Sequence, residues 1–211
     1  SGNLAGEADT LAERGETIEV TSIRTNMAVQ ENEEAFVNAE IKYQNNAEED
    51  LTDTDLYELR KENNEWLIYG EPSQLPLKYR LEGVAPANSF ETTIGLSESS
   101  AGLFFRAKDV SNVDLRGDYQ ENDLDIVAVS FSGAIAERIQ ETGADLGSDL
   151  SGAKIFEYLD GELIDTKKMS SRLARLIESG QWAANPEYIL TYEDAESAER
   201  VAATILEHME G

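Results

Sequence analysis

The chain has 211 residues, with 43 Asp and Glu against 17 Lys and Arg, and its formal net charge is −26. This charge excludes nucleic-acid binding through basic patches and disfavours docking on anionic lipid, because both need clustered Lys and Arg. With 0 Cys, the chain has no disulfide, zinc–thiolate site or thiol nucleophile. A single histidine, His208, makes a Ser-His-Asp triad or a His-rich metal site a poor expectation.

The acidic residues are dispersed among regular apolar patterns, and 40% of the residues are hydrophobic, which favours a folded chain over a disordered one. Acid spread over a whole surface is typical of proteins from salt-loving organisms. Salt screens the self-repulsion of such a surface, since the Debye length is about 3 Å at molar salt. An ordinary acidic protein and one that collects Ca²⁺ are the alternatives.

Residues 1–15 are small and polar and are expected to form a flexible tether. A polar stretch that opens Ser-Gly-Asn resembles the segment after the lipidated Cys of prokaryotic surface lipoproteins, which would put a lipid anchor upstream of Ser1. A tag remnant at Ser1-Gly2 explains the same residues. No run reaches the roughly 20 apolar residues of a membrane helix.

Residues 16–108 follow a period of two, as half-buried strands do. In the clearest strand, the side chains from Phe36 to Tyr43 alternate between two faces. A hairpin is expected at Glu62-Asn63-Asn64, between two apolar runs. Six or seven short strands within this segment predict an antiparallel β-sandwich, with Trp66 in its core.

The strand Phe36–Asn46, the strand at Leu56 to Leu59 and the turn Val84-Ala85-Pro86 before Phe90 carry a family resemblance. Together they resemble the immunoglobulin-like extracellular domain, also called telokin-like or immunoprotective, of small prokaryotic surface lipoproteins. The family usually has Gly where Ala87 follows Pro86. The resemblance implies a binding or structural module at the cell surface and supplies no active-site residue.

Residues 109–123 are expected to be a connector, and residues 124–211 a small α+β domain with the order β-α-β-β-α-β-α. Asp160-Gly161 gives the strongest hairpin signal. Thr166 and Asp194 are expected to cap the two later helices. The predicted fold class is therefore an α+β multidomain chain, with an N-terminal immunoglobulin-like sandwich before the α+β domain.

Ser132 stands where a strand turns into a helix, which is the place of the nucleophile in α/β hydrolases. The Gly-x-Ser-x-Gly pattern is absent, and a helix N-cap explains the residue without chemistry. A phosphate cradle at the same turn would need a glycine-rich run that the sequence lacks. We therefore expect no catalytic residue and no cofactor-binding residue.

Calcium is the better metal hypothesis, because hard oxygen ligands are abundant. Asp118, Asp123 and Asp125 are the candidate ligands, although neither the glycine nor the distal Glu of an EF-hand loop accompanies them. Solvated surface carboxylates are the competing interpretation. No other cofactor is expected.

Trp182 lies in a loop after Gly180 and is the candidate partner-binding residue, although a plug between the domains is the favoured interpretation of the two. We expect a non-enzymatic, extracellular or surface-tethered protein of a halophilic prokaryote that binds a protein partner or self-associates. One alternative is a calcium-dependent adhesion or assembly protein. Another is a small-ligand binder or enzyme with a pocket at the Phe131–Gly133 turn.

Overall fold

A computed structural model describes residues 19–44, 50–116 and 124–209 of the chain. The chain divides into two compact units, Ser1–Arg80 and Leu81–Gly211, called unit 1 and unit 2 below. Every strand pair is antiparallel, and four α-helices accompany the strands in the described ranges. The fold is therefore a β-rich α+β fold, as the sequence predicts at this coarse level.

Unit 1 contains a four-stranded sheet in which each strand pairs with the next along the chain. Its elements are β1 (Glu19–Glu31), β2 (Glu34–Gln44), β3 (Asp50–Glu62), β4 (Glu65–Gly70) and the short helix α1 (Leu77–Arg80). The expected hairpin joins β3 to β4, where Asn63 and Asn64 have φ angles of 51° and 70°. Two successive positive φ angles are those of a type I′ turn, which Asn tolerates well.

The central strand β2 presents different chemistry on its two faces. Phe36 is buried and packs against Tyr79 of α1, with ring centroids 5.4 Å apart. On the other face, Val37, Ala39 and Ile41 are also buried. The alternation predicted from the sequence is therefore confirmed for this strand, which is apolar on one face and mixed on the other.

Unit 2 contains two sheets, with strand orders β10-β9-β5-β6 and β11-β8-β7. The strands are β5 (Phe90–Gly95), β6 (Gly102–Arg106), β7 (Val110–Arg116), β8 (Asp125–Phe131), β9 (Lys154–Leu159), β10 (Glu162–Lys168) and β11 (Glu187–Tyr192). The helices are α2 (Gly133–Ala144), α3 (Ser171–Glu178) and α4 (Ala195–Met209). From β8 to α4 this is the order of elements that the sequence predicts.

The expected turn at Asp160-Gly161 joins β9 to β10, with φ angles of 53° and 80°. Asp194 caps α4 as expected, since its Oδ1 accepts a 2.7 Å hydrogen bond from the Ser197 N–H. The prediction for Thr166 is wrong, because that residue lies inside β10. Ser170 caps α3 instead, and its hydroxyl accepts a hydrogen bond from the Leu173 N–H at 3.1 Å.

The division of the chain differs from the expected boundary near residue 108. The strands β5 and β6, which the sequence analysis assigned to the N-terminal sandwich, pair with each other and with β9 of unit 2. Their buried Phe90, Phe104 and Phe105 belong to the core of that unit. A period of two shows which face of a strand is buried and says nothing about its partner strand, so the pattern could not assign these strands.

Candidate functional site

The calcium candidates lie mostly outside the described residues. Asp118 and Asp123 are not described, and Asp125 stands opposite Tyr192 in the β8–β11 pair. Within the described ranges, no group of three or more His, Cys, Asp and Glu side chains has the geometry of a metal site. The calcium site therefore remains a prediction.

Ser132 is the N-cap residue of α2, with extended backbone angles and an exposed side chain. Its carbonyl oxygen accepts the first helical hydrogen bond, from the Ala136 N–H at 2.8 Å. The only histidine, His208, lies near the end of α4 and its Nδ1 is 2.8 Å from the Thr204 carbonyl oxygen. Ser132 thus occupies the N-cap position that the sequence predicts, but its side chain makes no capping hydrogen bond.

Trp182 is 2% exposed, which corrects the expectation of an accessible partner contact. Its ring packs 5.7 Å from the ring of Phe131, and its Nε1–H donates a 3.0 Å hydrogen bond to the Glu187 carbonyl oxygen. An apolar ring beside the apolar end of β8 is stabilised by burial, and the loop position alone did not show this contact. Trp182 therefore packs the interior of unit 2.

Trp66 shows the opposite error, since it was expected in a core and is 38% exposed. It pairs with Lys61 across β3 and β4, and the Lys61 ammonium lies 5.9 Å from the ring centroid. It stands two residues before Ile68, so both side chains point to the same face of the sheet.

An apolar groove of about 570 Å³ runs across this face of the unit 1 sheet. Buried Val37, Ala39 and Ile41 of β2 form its floor, while Ile23 of β1 and Ile68 of β4 stand at its two sides. Each of these two isoleucines is 62% exposed. Large apolar side chains on both outer strands, facing one groove, are unusual for a surface in contact with water alone.

Carboxylates surround one part of the groove. Tyr57 lines it beside Glu71, and the Tyr57 hydroxyl is 3.5 Å from an oxygen of Asp55. Partial burial raises the pKa of Tyr57, and the charges of Asp55, Glu71 and Asp53 raise it further. The negative potential at this tyrosine favours a positively charged group.

Unit 2 contains a buried polar cluster formed by Glu157, Lys167 and Tyr192. Glu157 is 0% exposed; its Oε2 accepts a 2.9 Å hydrogen bond from the Tyr192 hydroxyl, and its Oε1 lies 3.3 Å from the Lys167 ammonium. That ammonium also bonds to Asp165 and donates to the Thr191 carbonyl oxygen at 2.8 Å. Burial raises the pKa of the Glu157 carboxyl, against the opposing effects of Lys167 and of the Tyr192 hydrogen bond.

A cleft of about 790 Å³ lies beside this cluster, with Lys167, Tyr192, Glu193 and Arg200 among its lining residues. The Arg200 guanidinium is 3.6 Å from Asp160, and Lys167 is held by the carboxylates of the cluster. The cleft thus presents its two cations already paired. It differs in place from the pocket expected at the Phe131–Gly133 turn.

The groove and the cluster were both missed at the level of sequence, although each left a signal. Glu157 interrupts the apolar run Ile155–Leu159, and a charged residue within such a run indicates that its side chain is buried with its neighbours. Ile23 and Ile68 occur in strands at opposite edges of the sheet, and only the strand order brings them to one face. No helix in the described part of the chain is both long and apolar enough to cross a membrane.

The chain matches no family model and no curated protein. Among solved structures, it is similar to a chain described as "Structure and function of a membrane component SecDF that enhances protein export". The TM-score is 0.41 at 12% identity, and the alignment covers 70% of this chain and 76% of that chain. A likeness at this level carries no argument about the fold or the function.

Proposed function

We propose that this chain is a non-enzymatic protein-binding module, and that the apolar groove of the unit 1 sheet is its binding surface. The observation that carries the proposal is the exposure of Ile23 and Ile68 on either side of a floor of buried aliphatic residues. A fully apolar floor between exposed apolar sides is the arrangement of an interface core before its partner is seated.

The partner that fits best is a protein segment with an apolar face and basic residues beside it. Asp53, Asp55 and Glu71 place negative charge around Tyr57 at the groove. A second copy of this chain would set the same carboxylates against each other at the contact, where charges are too close for salt to screen fully, and this opposes self-association. Complementary charge would orient the partner, while the groove would supply the buried apolar contact.

We place the module at the surface of a salt-adapted prokaryotic cell. The net charge of −26 supports the salt adaptation, because dispersed carboxylates keep a protein soluble where salt screens their repulsion. We keep the immunoglobulin-like resemblance, the lipid anchor and the extracellular location as parts of the proposal.

The test uses a synthetic amphipathic helical peptide with leucines on one face and lysines beside them. Trp66 lies on the same face of the sheet as Ile68 of the groove, and in a Trp182→Phe background it is the only remaining tryptophan. We expect saturable binding with a blue shift of the Trp66 emission, since the seated peptide excludes water from the ring.

Two neighbouring residues of β4 give matched variants, because Ile68 and Leu67 are both exposed and point to opposite faces. Ile68→Asp is expected to weaken binding more than about tenfold, and Leu67→Asp to leave it within about twofold. Equal loss in both variants would overturn the proposal. The proposal would also be overturned if a peptide with serines in place of the leucines bound equally well, because charge alone would then explain the binding.

A further inference from the structure

The segment 166–177, which runs from β10 into α3, has a charge opposite to that of the whole chain. It contains Lys167, Lys168, Arg172 and Arg175 and no Asp or Glu, in a chain with 43 acidic residues. Lys154 adds to this charge, because it stands opposite Lys168 in the β9–β10 pair. Two lysines directly opposite each other repel, so the folded chain concentrates positive charge here at an energetic cost.

In the described part of the chain, Lys167 is the only one of these five cations that has a carboxylate partner. Within the described ranges, no Asp or Glu oxygen lies within 4.0 Å of Lys168, Arg172 or Arg175. Lys167 behaves differently, since Glu157 and Asp165 neutralise it. We call Lys168, Arg172 and Arg175 the basic patch. In so acidic a chain, three neighbouring cations without carboxylates form the natural site for a negatively charged partner.

A groove of about 370 Å³ lies beside the basic patch, between β10, α3 and β11. Lys168 and Arg172 line it on the charged side, while Leu173, Leu176 and Ile189 supply apolar walls. Its one carboxylate, Glu187, has an oxygen 3.7 Å from the Arg116 guanidinium. The groove therefore offers an apolar slot with positive charge along one side.

The strand β11 lies at the groove with one edge that pairs with no other strand of the described sheet. The carbonyl oxygens of Glu187 and Thr191 turn away from β8, because they accept hydrogen bonds from Trp182 and Lys167 side chains. Backbone groups alternate along an antiparallel strand, so the N–H and C=O of Ile189, midway between them, turn the same way. Among the described residues, no backbone group hydrogen-bonds to this N–H or this C=O, since β11 is the edge strand of its sheet.

We infer that this groove binds an extended, acidic segment of a partner protein. The segment would pair its backbone with Ile189, place an apolar side chain against Leu173 and Leu176, and set its carboxylates on the basic patch. Backbone pairing on an open strand edge supplies affinity, and alternate side chains supply specificity. This surface is separate from the apolar groove of unit 1 and takes a partner of opposite charge.

The experiment titrates the full chain with a fluorescein-labelled peptide of alternating glutamate and valine, followed by fluorescence anisotropy at one fixed KCl concentration. We expect saturable binding that the double variant Lys168→Glu/Arg172→Glu weakens more than about tenfold. The matched control is Arg24→Glu/Lys108→Glu, which makes the same change in net charge at exposed positions outside the groove. It should bind within about twofold of the unmodified chain.

Further peptides separate the groove from a general attraction to anions. A peptide with glycines in place of the valines, and one with lysines in place of the glutamates, are both expected to bind more than about tenfold more weakly. Equal binding of the glycine peptide would overturn the inference, because the apolar slot would then contribute nothing. Equal weakening by the two double variants would overturn it as well, since only the overall field would be acting.

Discussion

The Tyr192 hydroxyl donates a 2.9 Å hydrogen bond to Glu157, and through this contact β11 of one sheet is tied to β9 of the other. Lys167 of β10 makes a second connection by donating to the Thr191 carbonyl oxygen of β11. Glu157 is the only charged residue that is fully buried in the described part of the chain. The polar cluster therefore links the stability of unit 2 to the protonation of Glu157.

The substitution Glu157→Gln should flatten the pH dependence of the stability of unit 2. Burial raises the pKa of Glu157 in the folded state above its unfolded value. The folded state therefore binds the Glu157 proton more tightly than the unfolded state does. The stability that this protonation contributes is fully present at pH values below the pKa of Glu157 in the unfolded chain. It is lost as the pH rises through the raised folded pKa.

Urea unfolding between about pH 4 and pH 8 measures this effect. The free energy of unfolding of the unmodified chain should fall with rising pH by more than that of Glu157→Gln. Glu162→Gln, at an exposed position on the same hairpin, serves as the control and should retain the original slope. Identical slopes for Glu157→Gln and the unmodified chain would show that Glu157 does not titrate in this way.

Replacing Lys167 with Met should destabilise unit 2 by about 3–5 kcal/mol near pH 7, because the buried Glu157 carboxylate loses its ammonium partner. Adding Glu157→Gln to Lys167→Met should recover part of this loss, since no charge then remains uncompensated. Chemical denaturation of the two single variants and the double variant gives the coupling energy. Strictly additive losses would mean that the two side chains do not interact.

Gly143→Ala should destabilise the packing of α2 on α3, because a Cβ at Gly143 would lie 2.7 Å from the Cγ2 of Ile177. Overpacking costs about 1–3 kcal/mol and the gain in helix propensity is about 1 kcal/mol, so we expect a net loss of about 1 kcal/mol.

Gly133→Ala in the same helix is the control, since a Cβ there meets nothing within 4 Å. Thermal and urea unfolding should show no loss for this variant. Combining Gly143→Ala with Ile177→Ala should cost less than the sum of the single changes, because the overlapping methyl group is removed. If Gly143→Ala stabilised the chain, the Ile177 side chain would have to move aside at little energetic cost.

Monovalent salt should raise the melting temperature of the chain steadily from low to multimolar KCl, because screening reduces the repulsion among charges that sum to −26. The same scans with millimolar Ca²⁺ at fixed KCl test the site at Asp118, Asp123 and Asp125. A saturable jump with Ca²⁺ would establish a specific calcium site. A melting temperature independent of KCl would contradict the salt-adaptation hypothesis.

Local chemistry made part of the fold predictable. The turns at Asn63-Asn64 and Asp160-Gly161 follow from residues that tolerate positive φ angles, and those angles are observed. The order of elements after residue 124 follows from apolar periods of two and 3.6 residues. Each of these patterns depends on residues that are close together in the sequence, so distant contacts do not affect the prediction.

Distant contacts account for what the sequence did not predict. The assignment of β5 and β6 to unit 2 depends on the β5–β9 pair, between strands that are more than 50 residues apart. The burial of Trp182 depends on Phe131, and the exposure of Trp66 depends on the edge position of β4. For β5, β6 and Trp182, a partner far along the chain decides the environment, whereas for Trp66 the place of β4 in the strand order decides it.

The interleaved strand order of unit 2 has a consequence for the synthesis of the chain. Since β5 and β6 precede β9, translation at about 5–20 residues per second leaves their hairpin without its partner strand for several seconds. Phe104 and Phe105, both 0% exposed in the finished fold, are in contact with solvent or with other nascent chains during that interval. Where salt does not screen it, the dispersed negative charge would hold neighbouring incomplete chains apart before β9 is synthesised.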